Sequence, residues 1–241
     1  MTDGPQAARR GSVAVVGAAG GAGASTVACG LAMAWAARRE AVWLVDLDGA
    51  RGDLAAGWDL PATRTLADLA GVAGEVDRAH LARAASPHPS GVRVVASAGV
   101  LAGADPWDAA AAAAVCGALC AAGAVVADVA GDGPPARAMV ARADSILLVC
   151  PPALDAARRA ARLMEGWRHG PRHDRVGLVV AHRGGAPEIG ARALGRTLGA
   201  PVVARLPRSG REARSLRAGV WPAGRRARLT RAIAALSEAL P

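Results

Sequence analysis

The 241-residue chain contains no lysine, no asparagine, no phenylalanine and no tyrosine. Without lysine, all 29 Lys-or-Arg side chains are arginines, and no lysine can reach a phosphate anywhere in the protein. With six tryptophans as the only aromatics, the core must be built from Ala, Val and Leu, which suits close packing of helices on a sheet. Cysteine is scarce as well. Cys29, Cys116, Cys120 and Cys150 form no CxxC and have apolar neighbours, the pattern of small buried residues in a reducing compartment. Cys116 and Cys120 share a helix face, but no histidine clusters with them, which argues against a metal site. His169 and His173 have i,i+4 spacing, yet Gly170 and Pro171 between them spoil a helical pair. No run is suited to cross a bilayer: the Ala-rich stretch 109–119 is too short and too weakly apolar. The opening MTDGPQAARR is polar and unlike a signal peptide, so the expected location is the cytoplasm.

Charge is unevenly placed. The net charge is +9, but residues 151–241 hold eighteen Arg against six acids, while residues 1–150 hold eleven against fourteen. A basic half suits an anionic partner such as nucleic acid or a membrane surface. A solvated arginine face in an arginine-only composition is the competing reading, and both stay open.

Apolar runs of strand type alternate with Ala- and Arg-rich helical stretches. The pattern predicts strands near 12–17, 42–46, 92–96, 124–128, 145–150, 176–181 and 201–205. Several are continuously apolar, as strands buried on both faces are. Helices are expected near 25–39, 76–85, 107–121, 134–142, 153–168, 187–198, 211–218 and 225–239. Such alternation predicts an α/β fold, a doubly wound and mostly parallel sheet flanked by helices. With no repeat and no long linker, residues 11–241 read as one domain preceded by a loose tail, 1–10.

In such a sheet ligands bind at the carboxyl ends of the strands. After the first strand comes GAAGGAGAST (17–26). Gly20, Gly21 and Gly23 allow backbone N–H groups to turn inward, and the helix that follows adds its positive end, which together attract a phosphate. Ser25 stands where a phosphate-loop hydroxyl holds Mg²⁺. Against the pattern G-x-x-x-x-G-K-[ST] the match is partial, with Ala18 and Ala24 replacing the first glycine and the lysine. After the second strand, VDLDGARGD places Asp46 and Asp48 two residues apart, suited to a metal ion and a water beside that loop. After the strand at 124–128, Asp128 ends an apolar run in the manner of a carboxylate that supports a metal-bound water.

These segments resemble the deviant Walker A ATPases of the ParA/MinD superfamily, whose loop reads K-G-G-V-G-K-[ST]-T, followed by a V-D-x-D strand end and a later strand ending in Asp. Here they stand as Ala19-Gly20-Gly21-Ala22-Gly23-Ala24-Ser25-Thr26, Val45-Asp46-Leu47-Asp48 and Val125-Val126-Ala127-Asp128. Downstream, ARADSILLVCPPALDAARRAARL (141–163), VVAHRGG (179–185) and RLPRSGREARSLRAGVWP (205–222) continue the likeness over nearly the whole chain. The lysine-free loop is most similar to the CpaE/TadZ-like branch, and within it to actinobacterial septum-site-determining (Ssd) proteins. The resemblance implies a P-loop fold and a cytoplasmic homodimer that binds ATP or ADP with Mg²⁺. It further implies a role in positioning a division septum or a pilus or secretion apparatus. It places residues 20–26 and Arg183 on the nucleotide, Ser25, Asp46 and Asp128 on the metal, and Asp48 on the water.

Two departures matter. The lysine that reaches across the dimer falls on Ala19, and the Walker lysine on Ala24. Losing a phosphate-clamping cation costs several kcal/mol of transition-state stabilisation, or roughly 10²–10³-fold in rate, so binding with slow or absent hydrolysis is expected. Arg51 is a weak candidate replacement. The asparagine that often reads the base is absent, and His182-Arg183-Gly184 takes its place, so adenine preference is implied by the resemblance alone. A nucleotide-free scaffold is the second reading. A nonspecific DNA binder using Arg205, Arg208, Arg211, Arg214 and Arg217 is the third. Finally, Leu229, Ile233, Leu236 and Leu240 share one face of the last helix behind a cluster of Arg225, Arg226, Arg228 and Arg231. That helix either packs on the sheet, the favoured reading, or binds anionic lipid at the membrane surface.

Overall fold

The apolar runs become the strands of one sheet, covered on both sides except at the 202–206 edge, where Val203 and Arg205 stay exposed. A computed structural model describes residues 11–38, 41–49, 52–97, 107–167, 173–184, 186–224 and 226–240. The 1–10 tail, Arg51, His169 with its Gly-Pro neighbours, and Arg225 lie outside them. The strands are β1 (Ser12–Gly17), β2 (Val42–Leu47), β3 (Ala85–Pro87), β4 (Val92–Val95), β5 (Ala124–Val129), β6 (Ser145–Cys150), β7 (Val176–Ala181) and β8 (Val202–Leu206). The helices are α1 (Ala24–Ala36), α2 (Leu54–Gly57), α3 (Leu66–Ala70), α4 (Arg78–Ala84), α5 (Ala109–Ala122), α6 (Pro134–Arg142), α7 (Leu154–Trp167), α8 (Ala191–Leu198), α9 (Gly210–Arg217) and α10 (Arg228–Glu238).

The sheet order is β3-β4-β2-β5-β1-β6-β7-β8, and every neighbouring pair is parallel except β3 with β4. All seven expected strands are present within one residue at either end. The antiparallel edge strand β3 was not expected, because Ala85-Ser86-Pro87 carries no strand signal; a proline is tolerated there because the strand lies at the edge. The short α2 and α3 were also missed. For α3 a signal existed: Thr65 and Asp68 form a reciprocal capping box, with the Thr65 oxygen accepting from the Ala67 amide at 3.2 Å.

Side chains alternate along β1, so Val13 and Val15 face one layer while Ala14 and Val16 face the other, and all four are buried. One layer holds α3 to α8. The other holds α1, α9 and α10. Helix α1 is apolar all round, with every residue from Val27 to Trp35 buried, because sheet, α9 and α10 enclose it.

Helix α10 settles on α1 through its leucine face: Leu229, Ile233 and Leu236 are buried. The Trp35 indole N–H donates to the Ser237 carbonyl at 3.2 Å, and Arg38 reaches both Glu238 (3.2 Å) and the Ser237 hydroxyl. The favoured reading of this helix, packing on the core, is what the structure shows: the face that would enter a bilayer is the face that closes the core. No helix among the described residues is long and apolar enough to cross a membrane. Glu212 of α9 joins the two C-terminal helices, accepting from the Thr230 amide and hydroxyl at 2.9 Å each. Burial pushes its carboxyl up, but the bonds from Thr230 and Ser209 outweigh this and hold it below the usual range.

Contact between α1 and α10 depends on Gly30, where a Cβ would lie 2.9 Å from two carbons of Ile233. Gly30→Val should lower stability by about 1–3 kcal/mol through overpacking, read as a lower midpoint in denaturant unfolding. Gly166→Ala on α7, where an added Cβ meets nothing within 4 Å, should leave the midpoint unchanged or raise it.

Candidate functional site

The loop between β1 and α1 is a cradle shaped by backbone alone. The Ala18 amide donates to the Val149 carbonyl at 2.9 Å, and the Ala22 amide to the Ala19 carbonyl at 2.9 Å. Gly21 (φ 66°) and Gly23 (φ 101°) lie in the left-handed region, where a side chain would be strained. Gly23 caps α1 with no side-chain hydrogen bond, which leaves the first-turn amides directed at the loop's concavity. Gly20, Gly21, Ala22, Gly23, Ala24, Ser25 and Thr26 all line a cleft of about 620 Å³ at the carboxyl edge of the sheet. Ala24, at the Walker lysine position, contributes no charge to it.

The carboxylates arrive from neighbouring strands. Asp46 and Asp128 are register partners on β2 and β5, and Val15 of β1 pairs with Asp128. Asp128 lines the cleft while being 4% exposed, and the Ser25 side chain hydrogen-bonds to it. Burial pushes its carboxyl up to about 7, against the pull of the Ser25 bond, with Asp46 and Asp48 adding repulsion. An acid held so far up at the foot of a phosphate-sized cradle suits a divalent cation, which would stabilise the carboxylate form.

Asp48 is half-buried and lines the cleft from the side of β2. Asp46 is placed differently from the expectation. It is 1% exposed and does not line the cleft, and its two oxygens accept from the Asp48 and Leu54 amides at 3.1 Å each. Its chemistry is that of a clasp on the loop that presents Asp48. Gly52 permits this wrap, since a Cβ there would meet Asp46 oxygens at 2.6 Å. Among the described residues, no group of three His, Cys, Asp or Glu side chains could hold a metal unaided. Ser25, Asp128 and Asp48 thus fit a cation only if a ligand completes its shell, as a phosphate does for Mg²⁺.

The far wall is cationic. Arg183, Arg208 and Arg217 line the cleft, and none has a carboxylate partner among the described residues. Arg183 was expected at the nucleotide. Arg208 and Arg217, grouped above with a DNA-facing set, are exposed and line the same cleft. The available signal was position, since RLPRSG is itself a strand end, on β8. Cys29, Cys116 and Cys150 are buried, and burial raises each thiol, Cys116 to about 12 and Cys150 to about 11, consistent with inert core residues.

No family model and no curated protein matches the chain in sequence. Solved structures do share its fold. A ParA family ATPase from Chlorobium tepidum superposes with a TM-score of 0.81 at 17% identity, covering 95% of this chain and 99% of that one. The septum site-determining protein MinD of Pyrococcus horikoshii, complexed with Mg-ADP, gives 0.77 at 20% identity, covering 94% of each. A chain of the MinC:MinD cell division complex of Aquifex aeolicus gives 0.71 at 17%, covering 95% of each. The fold is that of the ParA/MinD P-loop ATPases.

Because Asp128 titrates near 7 when folded, against an ordinary value of 3.8, the unfolded chain releases that proton first as pH rises. The ligand-free protein should lose stability between about pH 4 and pH 7 and level off above, by an amount on the order of a few kcal/mol. Asp128→Asn should flatten most of this profile and raise the unfolding midpoint at pH 8. Burial of Asp46, whose carboxyl is also raised, accounts for a residual slope. Denaturant melts at several pH values read both effects.

Proposed function

We propose that this chain is a degenerate nucleotide-binding switch of the ParA/MinD superfamily, in its CpaE/TadZ-like branch. It holds ATP or ADP with Mg²⁺ and hydrolyses ATP slowly or not at all. The observation that carries this reading is the Ser25–Asp128 pair at the foot of a glycine cradle, in one cleft with three arginines lacking carboxylate partners. When bound, Mg²⁺ would neutralise phosphate oxygens and complete the shell begun by Ser25 and Asp128.

The protein's own residues supply the rest. Backbone amides of residues 20–26 bind the phosphates, and the N-terminal end of α1 favours their charge. Asp46 fixes the loop that presents Asp48 toward the cleft, where it orders water. The residues after β7 and β8 close the opposite side, at the place of a base pocket. Slow turnover follows from Ala19 and Ala24, because amides that bind ground state and transition state alike do not accelerate a reaction. The function in this reading is positional. A homodimer at the cytoplasmic face of a membrane, pole or septum recruits division, pilus or secretion proteins. The likeness of fold to MinD, and the lysine-free loop shared with the CpaE/TadZ-like branch, support it.

A thermal-shift titration tests the reading. Millimolar ATP with Mg²⁺ should raise the unfolding midpoint by several degrees, as linkage requires for ligand well above its Kd, and EDTA should remove most of the gain. Phosphate release should stay roughly 10²–10³-fold below that of a lysine-containing relative assayed beside it. No shift at millimolar nucleotide would favour a scaffold with an inactive site.

A further inference from the structure

The cleft has no lysine, yet a cation from a distant strand lies on the loop itself. We propose that Arg183, at the end of β7, is the phosphate-binding cation of this cleft, supplied in trans to the loop in place of a lysine within it. The inference rests on the nucleotide reading above and assigns the missing charge to one side chain.

The Arg183 Nη2 donates to the Gly20 carbonyl at 2.7 Å. It also lies 3.4 Å from where a Cβ on Gly21 would stand, so the guanidinium rests against the cradle. In the sheet, β6 separates β7 from β1, a span of about 10 Å at ordinary strand spacing. Only a long side chain crosses it. One bond to Gly20 uses one of the five guanidinium N–H donors. No carboxylate among the described residues takes the others, and the side chain lines the cleft. Those donors are in position for the oxygens of an anion, which a guanidinium grips as a fork.

The turn that carries Arg183 is built around a second arginine. Gly184 has φ 115°, and a Cβ there would lie 2.8 Å from the Nη1 of Arg208. Arg208 thus packs across the turn, and both guanidiniums face one cleft. Two like charges that no carboxylate among the described residues pairs within 4 Å raise the free energy of the empty site and lower that of a site holding a polyanion. A loop staple alone would need only a neutral donor on the Gly20 carbonyl. The absence of a partner acid and the second cation both point to a bound anion.

Isothermal titration of the intact protein in Mg²⁺, with ATP, AMP and inorganic tripolyphosphate, tests this on wild type, Arg183→Gln and Arg183→Lys. Gln keeps a donor and removes the charge. Lys restores the charge without the fork. We expect R183Q to weaken ATP and tripolyphosphate by about 10–100-fold, the range for charge-assisted bonds. AMP should weaken less than about threefold, and R183K should recover most of the loss. Unchanged tripolyphosphate binding by R183Q would overturn the proposal and make Arg183 a loop staple. An equal loss for AMP and ATP would overturn it in favour of nucleoside contact. Arg183-dependent binding of tripolyphosphate without ATP binding would refute the nucleotide reading and leave the cation assignment standing. If wild type binds neither, both fall.

Discussion

A carboxylate buried under a loop with no charge of its own is the constraint on which this site depends. Asp128 sits 4% exposed between β1 and β2, and no cation of the described protein pairs with it. A buried carboxylate left so is costly, and the protein answers by holding it near neutrality with the Ser25 bond as partial support. Such a cost is stored where it has a use. A divalent cation would discharge it, and the backbone cradle above supplies the place for the anion such a cation brings. The positive φ of Gly21 and Gly23 belongs to the same loop, a backbone course that only glycine follows without strain.

The C-terminal helices are tied to this cleft by packing. Leu216 and Ile233 are fully buried against the α1 layer, while Ala213, Arg217 and Leu229 of the same helices line the cleft. Glu212 fixes α9 to α10 through Thr230. One wall of the site is therefore the outer surface of a core contact. A shift of α10 along α1 would move Leu229 and, through Glu212, the helix carrying Arg217. Because α1 itself begins at the phosphate loop, both ends of the proposed nucleotide contact report on the same helix-on-helix packing. That is the mechanical arrangement the proposed switch would need.

Much of this was legible in the sequence because strands buried on both faces leave continuous apolar runs, and because glycine-rich turns punctuate them. The runs at 12–17, 145–150 and 176–181 match their strands residue for residue. The order of strand ends brought the loop, Asp48 and Asp128 together from spacing alone. What was not legible depended on tertiary direction. Asp46 and Asp48 look equivalent as VDLD, but neighbouring strand positions alternate in face only while the strand lasts. Asp46 is inside it and is spent on two amides, while Asp48 lies beyond it and opens to the cleft. The arginines of RLPRSGREARSLR looked like one basic stripe. A strand end followed by a helix sends Arg208 and Arg217 one way and leaves Arg205, Arg211 and Arg214 exposed elsewhere.

Replacing loop lysines by a guanidinium on another strand changes what a phosphate site does well. A lysine within the loop moves with the backbone that binds the phosphates, so its charge can follow the oxygens as the bond breaks. Arg183 is anchored to β7 and braced on the Gly20 carbonyl, and its donors are fixed relative to the cradle before any ligand arrives. A rigid cation placed for the ground state adds to affinity, while rate requires interactions that strengthen in the transition state. The same geometry bridges β7 to the loop after β1, so a bound polyanion would join the two halves of the sheet's edge more firmly than either contact alone. Under the proposed nucleotide reading, a site built this way is better suited to report that a nucleotide is present than to consume it.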